Sequence, residues 1–241
     1  MAFSFKQFTI EQDRCAMKVG TDGVLLGAWT SLQNNPQTIL DIGAGTGLIA
    51  LMLAQRSTAQ QIDALEIDED AYEQCVENFE NSPWADRLFC FHASLDEFAE
   101  EPDDEKYDLI VSNPPFYPPP APPKGEGLTS EARKKARFYD SLPFENLIKY
   151  TVQLLSETGE LAVVIPFAEE ESFIAFAKEH FLYVNRITRV RGTENTSIKR
   201  SLLQFSFIEK EVEENELTLE ISRHLYTEDF KSLVKEFYLK L

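Results

Sequence analysis

Residues 38–67 read TILDIGAGTGLIALMLAQRSTAQQIDALEI, and no other stretch constrains the fold as much. "TILDIG" (Thr38 to Gly43) is a short apolar run closed by glycine, "LIALMLAQR" has helical character, and "QIDALEI" (Gln61 to Ile67) is again of strand length. Short apolar runs alternating with helical segments predict parallel strands joined by covering helices. The alternation continues. "DEDAYEQCVENFENS" puts Ala71, Cys75, Val76 and Phe79 on one helical face, and "RLFCFHA" reads as a third strand. "YDLIVS" (Tyr107 to Ser112) is a fourth, nearly continuous in apolar residues, as expected of a strand covered on both faces. A helix in "LPFENLIKYTVQLLSE", a strand "ELAVVIP" after Gly159 and a helix "EEESFIAFAKEH" follow. Two further apolar runs, "FLYVNRITRV" and "SLLQFSFIE", are suited to an antiparallel pair. The expected architecture is α/β: a doubly wound, mostly parallel seven-stranded sheet with a C-terminal antiparallel hairpin.

With 241 residues and 43% hydrophobic content, the chain can fill one sizeable core. A single domain over 1–241 is expected, with a cap segment 1–37, a core 38–208 and a terminal strand and helix 209–241. No stretch approaches the roughly 20 apolar residues of a membrane span, and the N-terminal sequence lacks a basic region followed by an apolar one. A cytoplasmic, monomeric protein with no membrane partner is expected. Cys15, Cys75 and Cys90 are odd in number and far apart, and His92, His180 and His224 show no ligand spacing. Neither a disulfide framework nor a metal site is therefore expected.

The glycine turn "DIGAGTG" runs from Asp41 to Gly47 at the exit of the first core strand. Glycines there allow a tight turn and close approach of the backbone to a ligand, and the following helix offers unpaired N–H groups. The spacing is G-x-G-x-G; the dinucleotide fingerprint G-x-G-x-x-G would need its third glycine at Leu48. A nicotinamide oxidoreductase is disfavoured on that ground. Glu66, about 20 residues on, can accept hydrogen bonds from ribose hydroxyls, so turn and acid together indicate an adenosine-containing cofactor. "LDIGAGTGLIALMLA" followed by "IDALEID" resembles the first two motifs of class I S-adenosylmethionine-dependent methyltransferases, with their Rossmann-like fold. The resemblance implies that Asp41, Gly43 and Gly45 line the methionine moiety and that Glu66 holds the ribose. Where that family often reads the adenine with an Asp, this chain has "HASLDEF", so the contact would come from Ser94 or the Leu95 backbone.

"YDLIVSNPPFYPPPAPP" places Asn113-Pro114-Pro115-Phe116 at a strand exit. The proline after Asn113 forces that residue into an extended conformation. Pro114 and Pro115 have no N–H, so the turn offers carbonyl acceptors without competing donors. An exocyclic amino group could donate to the Asn113 side-chain oxygen and the Pro114 carbonyl, with Phe116 flat against the attached ring. The stretch resembles the N-P-P-[YF] motif of methyltransferases acting on adenine, cytosine or glutamine amide, which implies a catalytic role for Asn113, Pro114, Pro115 and Phe116 and a cofactor contact at Asn113 as well.

Net charge is −18, which taken alone opposes a nucleic-acid partner. The acid is unevenly spread: residues 1–110 carry 6 Lys and Arg against 21 Asp and Glu, whereas residues 111–207 carry 12 against 11. Directly after NPPF, "KGEGLTSEARKKAR" supplies Arg133, Lys134 and Arg137 as candidate RNA contacts, with an ordinary solvated helix face as the competing reading. Arg186, Arg189, Arg191, Lys199 and Arg200 form a second basic group, as readily solvated hairpin residues as RNA ligands. In "RCAMKVGTDGVLLGAW", Thr21 or Asp22 is expected to cap an apolar helix. That segment, "ARKKARFYDSLPFENLI" and "YTEDFKSLVKEFYLKL" resemble the bacterial valine-tRNA adenine-N6 methyltransferase family along essentially the whole chain. The resemblance implies transfer of a methyl group from S-adenosylmethionine to an anticodon-loop adenine of a tRNA. A protein-glutamine N5-methyltransferase and a non-catalytic RNA-binding protein of the same fold are the alternatives.

Overall fold

The computed structural model describes residues 2–100, 106–115 and 142–240. Its centre is a nine-stranded sheet in which β3 (Thr38–Ile42), β4 (Gln61–Glu66), β5 (Leu88–His92), β6 (Tyr107–Ser112) and β7 (Leu155–Pro166) run parallel. Beyond β7, β9 (Arg200–Ser206) lies antiparallel between β7 and β8 (Tyr183–Thr193), which is the expected hairpin. These are the seven strands legible in the sequence. Two more extend the sheet: β10 (Glu213–Ser222) pairs in parallel with β8, and β11 (Leu225–Tyr226) folds back on β10.

Period-two alternation explains why the sheet is covered on both sides. On β7, Leu161, Val163 and Ile165 join one apolar cluster, while Ala162 and Val164 join the other. The first cluster receives α4 (Leu95–Glu100), α5 (Phe144–Leu154) and α6 (Glu170–Glu179). The second receives α1 (Thr21–Trp29), α2 (Leu48–Arg56), α3 (Glu69–Glu80) and α7 (Glu228–Val234). Helix α1 packs against α2, α7 and β7 and is buried from Gly23 through Trp29, so it belongs to the core rather than capping it from outside. Its cap also differs from expectation. Gly20 occupies the N-cap with no side-chain bond, and Asp22 instead binds Arg200 at 2.9 Å. An ion pair to the start of β9 fixes the helix end that a capping hydroxyl would otherwise serve.

A small hairpin, β1 (Phe3–Ser4) with β2 (Thr9–Ile10), packs on the chain's far end through a Phe5–Tyr238 bridge and a hydrogen bond from Lys6 N to Phe237 O. Strand order β7-β6-β3-β4-β5 reverses between β6 and β3. Open sheets bind ligands in the crevice outside the strand ends at such a reversal.

Candidate active site

The register pairs Ile42 with Ser112, so the residues that follow them, Gly43 and Asn113, leave the sheet side by side at the reversal. Ser112 ties the two exits together by donating its hydroxyl to Ile42 O at 2.9 Å.

Gly43, Gly45 and Gly47 all lie in the left-handed region, with φ of 73°, 55° and 79°. L side chains adopt that conformation only at a cost, which accounts for the alternate glycines. Gly43 and Ala44 donate their N–H groups to Leu65 O, and Gly45 donates its own to Glu66 Oε2 at 2.8 Å. The three glycines face different surroundings. A Cβ at Gly43 or Gly45 would meet nothing within 4 Å, whereas one at Gly47 would lie 2.5 Å from Phe79 and 2.9 Å from Cys75. Two glycines thus form a backbone cradle open to a ligand, and the third lets α3 close on the turn.

Asp41 is fully buried under the start of α2, where its Oδ2 accepts from Ala50 N at 3.1 Å. Its Oδ1 is buried without a partner among the described residues. Burial, reinforced by the nearby Glu66 charge and opposed by the Ala50 bond, pushes the carboxyl up to about 7. Glu66 is 1% exposed, with Oε1 accepting from Asp68 N at 2.8 Å. Burial raises its pKa against the hydrogen bonds from Asp68, Gly45 and Ile67. This carboxylate therefore pins the glycine turn to the exit of β4, a task not evident from its position in the sequence.

On the other side of the crevice, Asn113 carries a buried Oδ1 that has no partner among the described residues. A buried acceptor left unpaired is costly, and sites where one persists call for a ligand. Pro115 joins Gly43, Ile67, Ser94, Leu95 and Leu142 around a small cavity of about 30 Å³, so the NPP turn and the glycine turn share a wall. Phe116, Arg133, Lys134 and Arg137 lie outside the described residues.

Ser94 is the N-cap of α4. Its N–H and hydroxyl both donate to Glu97 Oε2, at 3.0 and 2.8 Å, and Glu97 N points back at its Oγ. This is a capping box, and S-x-x-E was legible in Ser94-Leu95-Asp96-Glu97 without being recognised there. Sequence reasoning also passed over Phe167. It follows Pro166 at the exit of β7, one strand over from Asn113, and remains 39% exposed. The signal was a second strand ending in proline and phenylalanine.

The second basic group is almost entirely committed inside the protein. Arg189 forks onto the buried Glu170 and also reaches Glu214, Arg191 pairs with Glu216, and Arg200 pairs with Asp22. Arg186 lies 4.2 Å over the Trp29 ring and donates to Trp29 O. These four are therefore neither plain solvated hairpin residues nor unpaired cations, and of the five only Lys199 has no side-chain partner among the described residues.

The methyltransferase small domain matches residues 22–124. A tRNA1(Val) (adenine(37)-N6)-methyltransferase of Christiangramia forsetii is 62% identical over 240 residues, covering 99% of this chain and 98% of the relative. One from Bacteroides fragilis is 44% identical over 239 residues, with 99% and 98% covered. Among solved structures, a predicted O-methyltransferase from Agrobacterium tumefaciens shares the fold, with a TM-score of 0.66 at 18% identity, covering 90% of this chain and 96% of that one. The full-length identity, together with the glycine cradle and the NPP turn at one strand reversal, establishes that the chain belongs to the tRNA1(Val) (adenine(37)-N6)-methyltransferase family.

Proposed function

We propose that this enzyme methylates the exocyclic N6 amino group of adenine 37, the purine beside the anticodon in the anticodon loop of a valine tRNA, and that residues 1–241 act as one methyltransferase unit. S-adenosylmethionine is the methyl donor. The residues fit it: the cradle at Gly43 and Gly45 admits a ligand against bare backbone, and Asp41 Oδ1, buried without a partner among the described residues, is an acceptor for it. Bound there, S-adenosylmethionine supplies a methyl group activated by its sulfonium charge. Glu66, with Ser94 and Leu95 on the cavity wall, is assigned to the adenosine end.

The observation that carries the reading is the buried Asn113 Oδ1 beside this cradle, without a partner among the described residues. It supports a role in accepting one hydrogen of the target amine while the Pro114 carbonyl accepts the other, which directs the nitrogen lone pair toward the methyl group. As positive charge develops on the nitrogen, the same oxygens stabilise it. Water takes the surplus proton. Phe116 is assigned to stack on the base, and Phe167, at the neighbouring strand exit, is assigned as a second aromatic contact. A loop adenine enters such a site more cheaply than a duplex base because less stacking is lost.

Transfer of labelled methyl to unmodified tRNA, followed by nucleoside chromatography, tests the proposal. N6-methyladenosine at position 37 is expected. No incorporation while S-adenosylmethionine still binds would move the assignment to a protein amide or another nucleic acid.

Phe167→Ala is expected to lower kcat/KM for tRNA by about tenfold, as for a base that loses an aromatic contact of about 1–3 kcal/mol. Unchanged tRNA kinetics would remove Phe167 from the pocket. Arg133→Ala with Arg137→Ala is expected to weaken tRNA binding and to flatten its salt dependence by about 0.7 log units per lost phosphate contact. A slope equal to that of the wild type would place the RNA elsewhere.

A further inference from the structure

Residues 11–19 form no helix or strand, yet their backbone is held at several points by amide side chains. Gln12 Oε1 accepts from Val19 N, and Gln74 Oε1 on α3 accepts from Arg14 N. The Arg14 guanidinium then pairs with Glu73 and Glu77 on the same helix. Asn78, one turn further along α3 and 3% exposed, does more. Its Oδ1 accepts from Glu11 N at 2.9 Å, and its Nδ2 donates to Glu11 O and to Thr46 O, each at 2.9 Å. Thr46 belongs to the glycine turn. One buried amide therefore satisfies both main-chain groups of Glu11 and a carbonyl of the turn.

The segment it holds runs along α3. Cys15 is 6% exposed, and its thiol is pushed up to about 12, first by burial and then by the charges of Glu66 and Asp68. Cys15 therefore lies close enough to Glu66, the carboxylate that pins Gly45, to feel its charge.

We propose that Asn78 is a positioning residue for the methyl donor: its amide locks the segment 11–19 and the glycine turn into one register, so the donor's cradle and that segment are set together. The inference rests on the assignment of that cradle to S-adenosylmethionine. Among the described residues, the turn's other hydrogen bonds run to the exit of β4, through Leu65 O and Glu66, and to the start of α2, through Gly47 O. Asn78 fixes the opposite side of it. A neutral amide suits the task because the Glu11 pair needs one acceptor and one donor while Thr46 O needs a second donor.

Asn78→Ala is the test, with Gln74→Ala as the variant that frees the segment without touching the turn. Calorimetry on the wild type first establishes S-adenosylmethionine binding; its absence there would overturn the cradle assignment itself. With wild-type binding secured, Asn78→Ala is expected to raise Kd and KM for S-adenosylmethionine about tenfold, the scale of one net hydrogen bond of about 1.4 kcal/mol. KM for tRNA and kcat at saturating donor should stay within about twofold, because no target contact is altered. Gln74→Ala should shift donor affinity in the same direction but less. Amide exchange should quicken in both 11–19 and 43–47 for Asn78→Ala, and only in 11–19 for Gln74→Ala. A lower Tm with unchanged donor affinity would reduce Asn78 to a fold-stabilising residue and overturn the proposal. An equal fall in kcat at saturating donor would do the same.

Discussion

Replacing Asn113 by alanine is expected to cut kcat by about 100- to 1000-fold while leaving the Kd for S-adenosylmethionine within about threefold, the pattern of a lost preorganised acceptor. The asymmetry follows from position. Asn113 follows β6, whereas the cradle assigned to the donor is built from the exit of β3 and the turn held by Leu65 and Glu66 on β4. Its Oδ1 has no partner among the described residues, and the substitution leaves the Ser112–Ile42 tie between the strands intact. Single-turnover methylation with calorimetry of donor binding separates the two effects. Loss of donor affinity in a folded variant, comparable with the loss of turnover, would refute the assignment of Asn113 to the target amine.

Gly47→Ala is expected to be the most destabilising single-methyl change in the site, costing about 2–5 kcal/mol from left-handed strain plus overpacking. The new Cβ would sit 2.5 Å from Phe79 Cε1 and 2.9 Å from Cys75 Sγ, both side chains of the buried α3 face, at a φ of 79°. For a chain of this size Tm should fall by about 10 °C. Gly45→Ala makes the instructive contrast. At a φ of 55° with nothing within 4 Å of the added carbon, it should cost only about 1–2 kcal/mol in stability yet weaken donor binding, because the methyl projects into the cradle. Thermal unfolding of the two variants beside their donor affinities tests the division. Similar Tm losses for both would show that the turn does not have separate ligand and core sides.

The sequence disclosed the core of this arrangement because its signals are local. TILDI, QIDALE and YDLIVS are apolar runs of strand length, and glycines at 43, 45 and 47 have few other uses between a strand and a helix. The NPP turn was legible for the same reason, since proline dictates its neighbour's backbone without help from the rest of the fold. What was not legible depends on partners distant in the chain. Arg189 and Arg191 read as free cations until β10 laid Glu214 and Glu216 beside them. Asp22 looked like a cap because Arg200, its true partner, stands 178 residues away. Asn78 gave no sign at all, being one polar residue in a charged helix whose role depends on Glu11 and Thr46 arriving on either side of it. Ser94 is the exception, a local signal missed because an adenine contact was sought at that position.

The hairpin β1–β2 gives the molecule a kinetic character as well as a shape. Its Lys6 ammonium reaches Lys235 O across a sequence separation of 229, so docking closes nearly the whole chain into one loop. Closure entropy rises only slowly with loop length, but contacts this distant form after the local strand–helix pairs have repaid their own ordering. Trp84 stands edge-on to Phe8 of the hairpin at 6.0 Å, whereas Trp29, at the end of α1, is buried against the sheet with its indole N–H on Thr188. The chain's two tryptophans are thus expected to report on different events of refolding: Trp29 on the packing of α1 against the sheet, and Trp84 on docking of the hairpin.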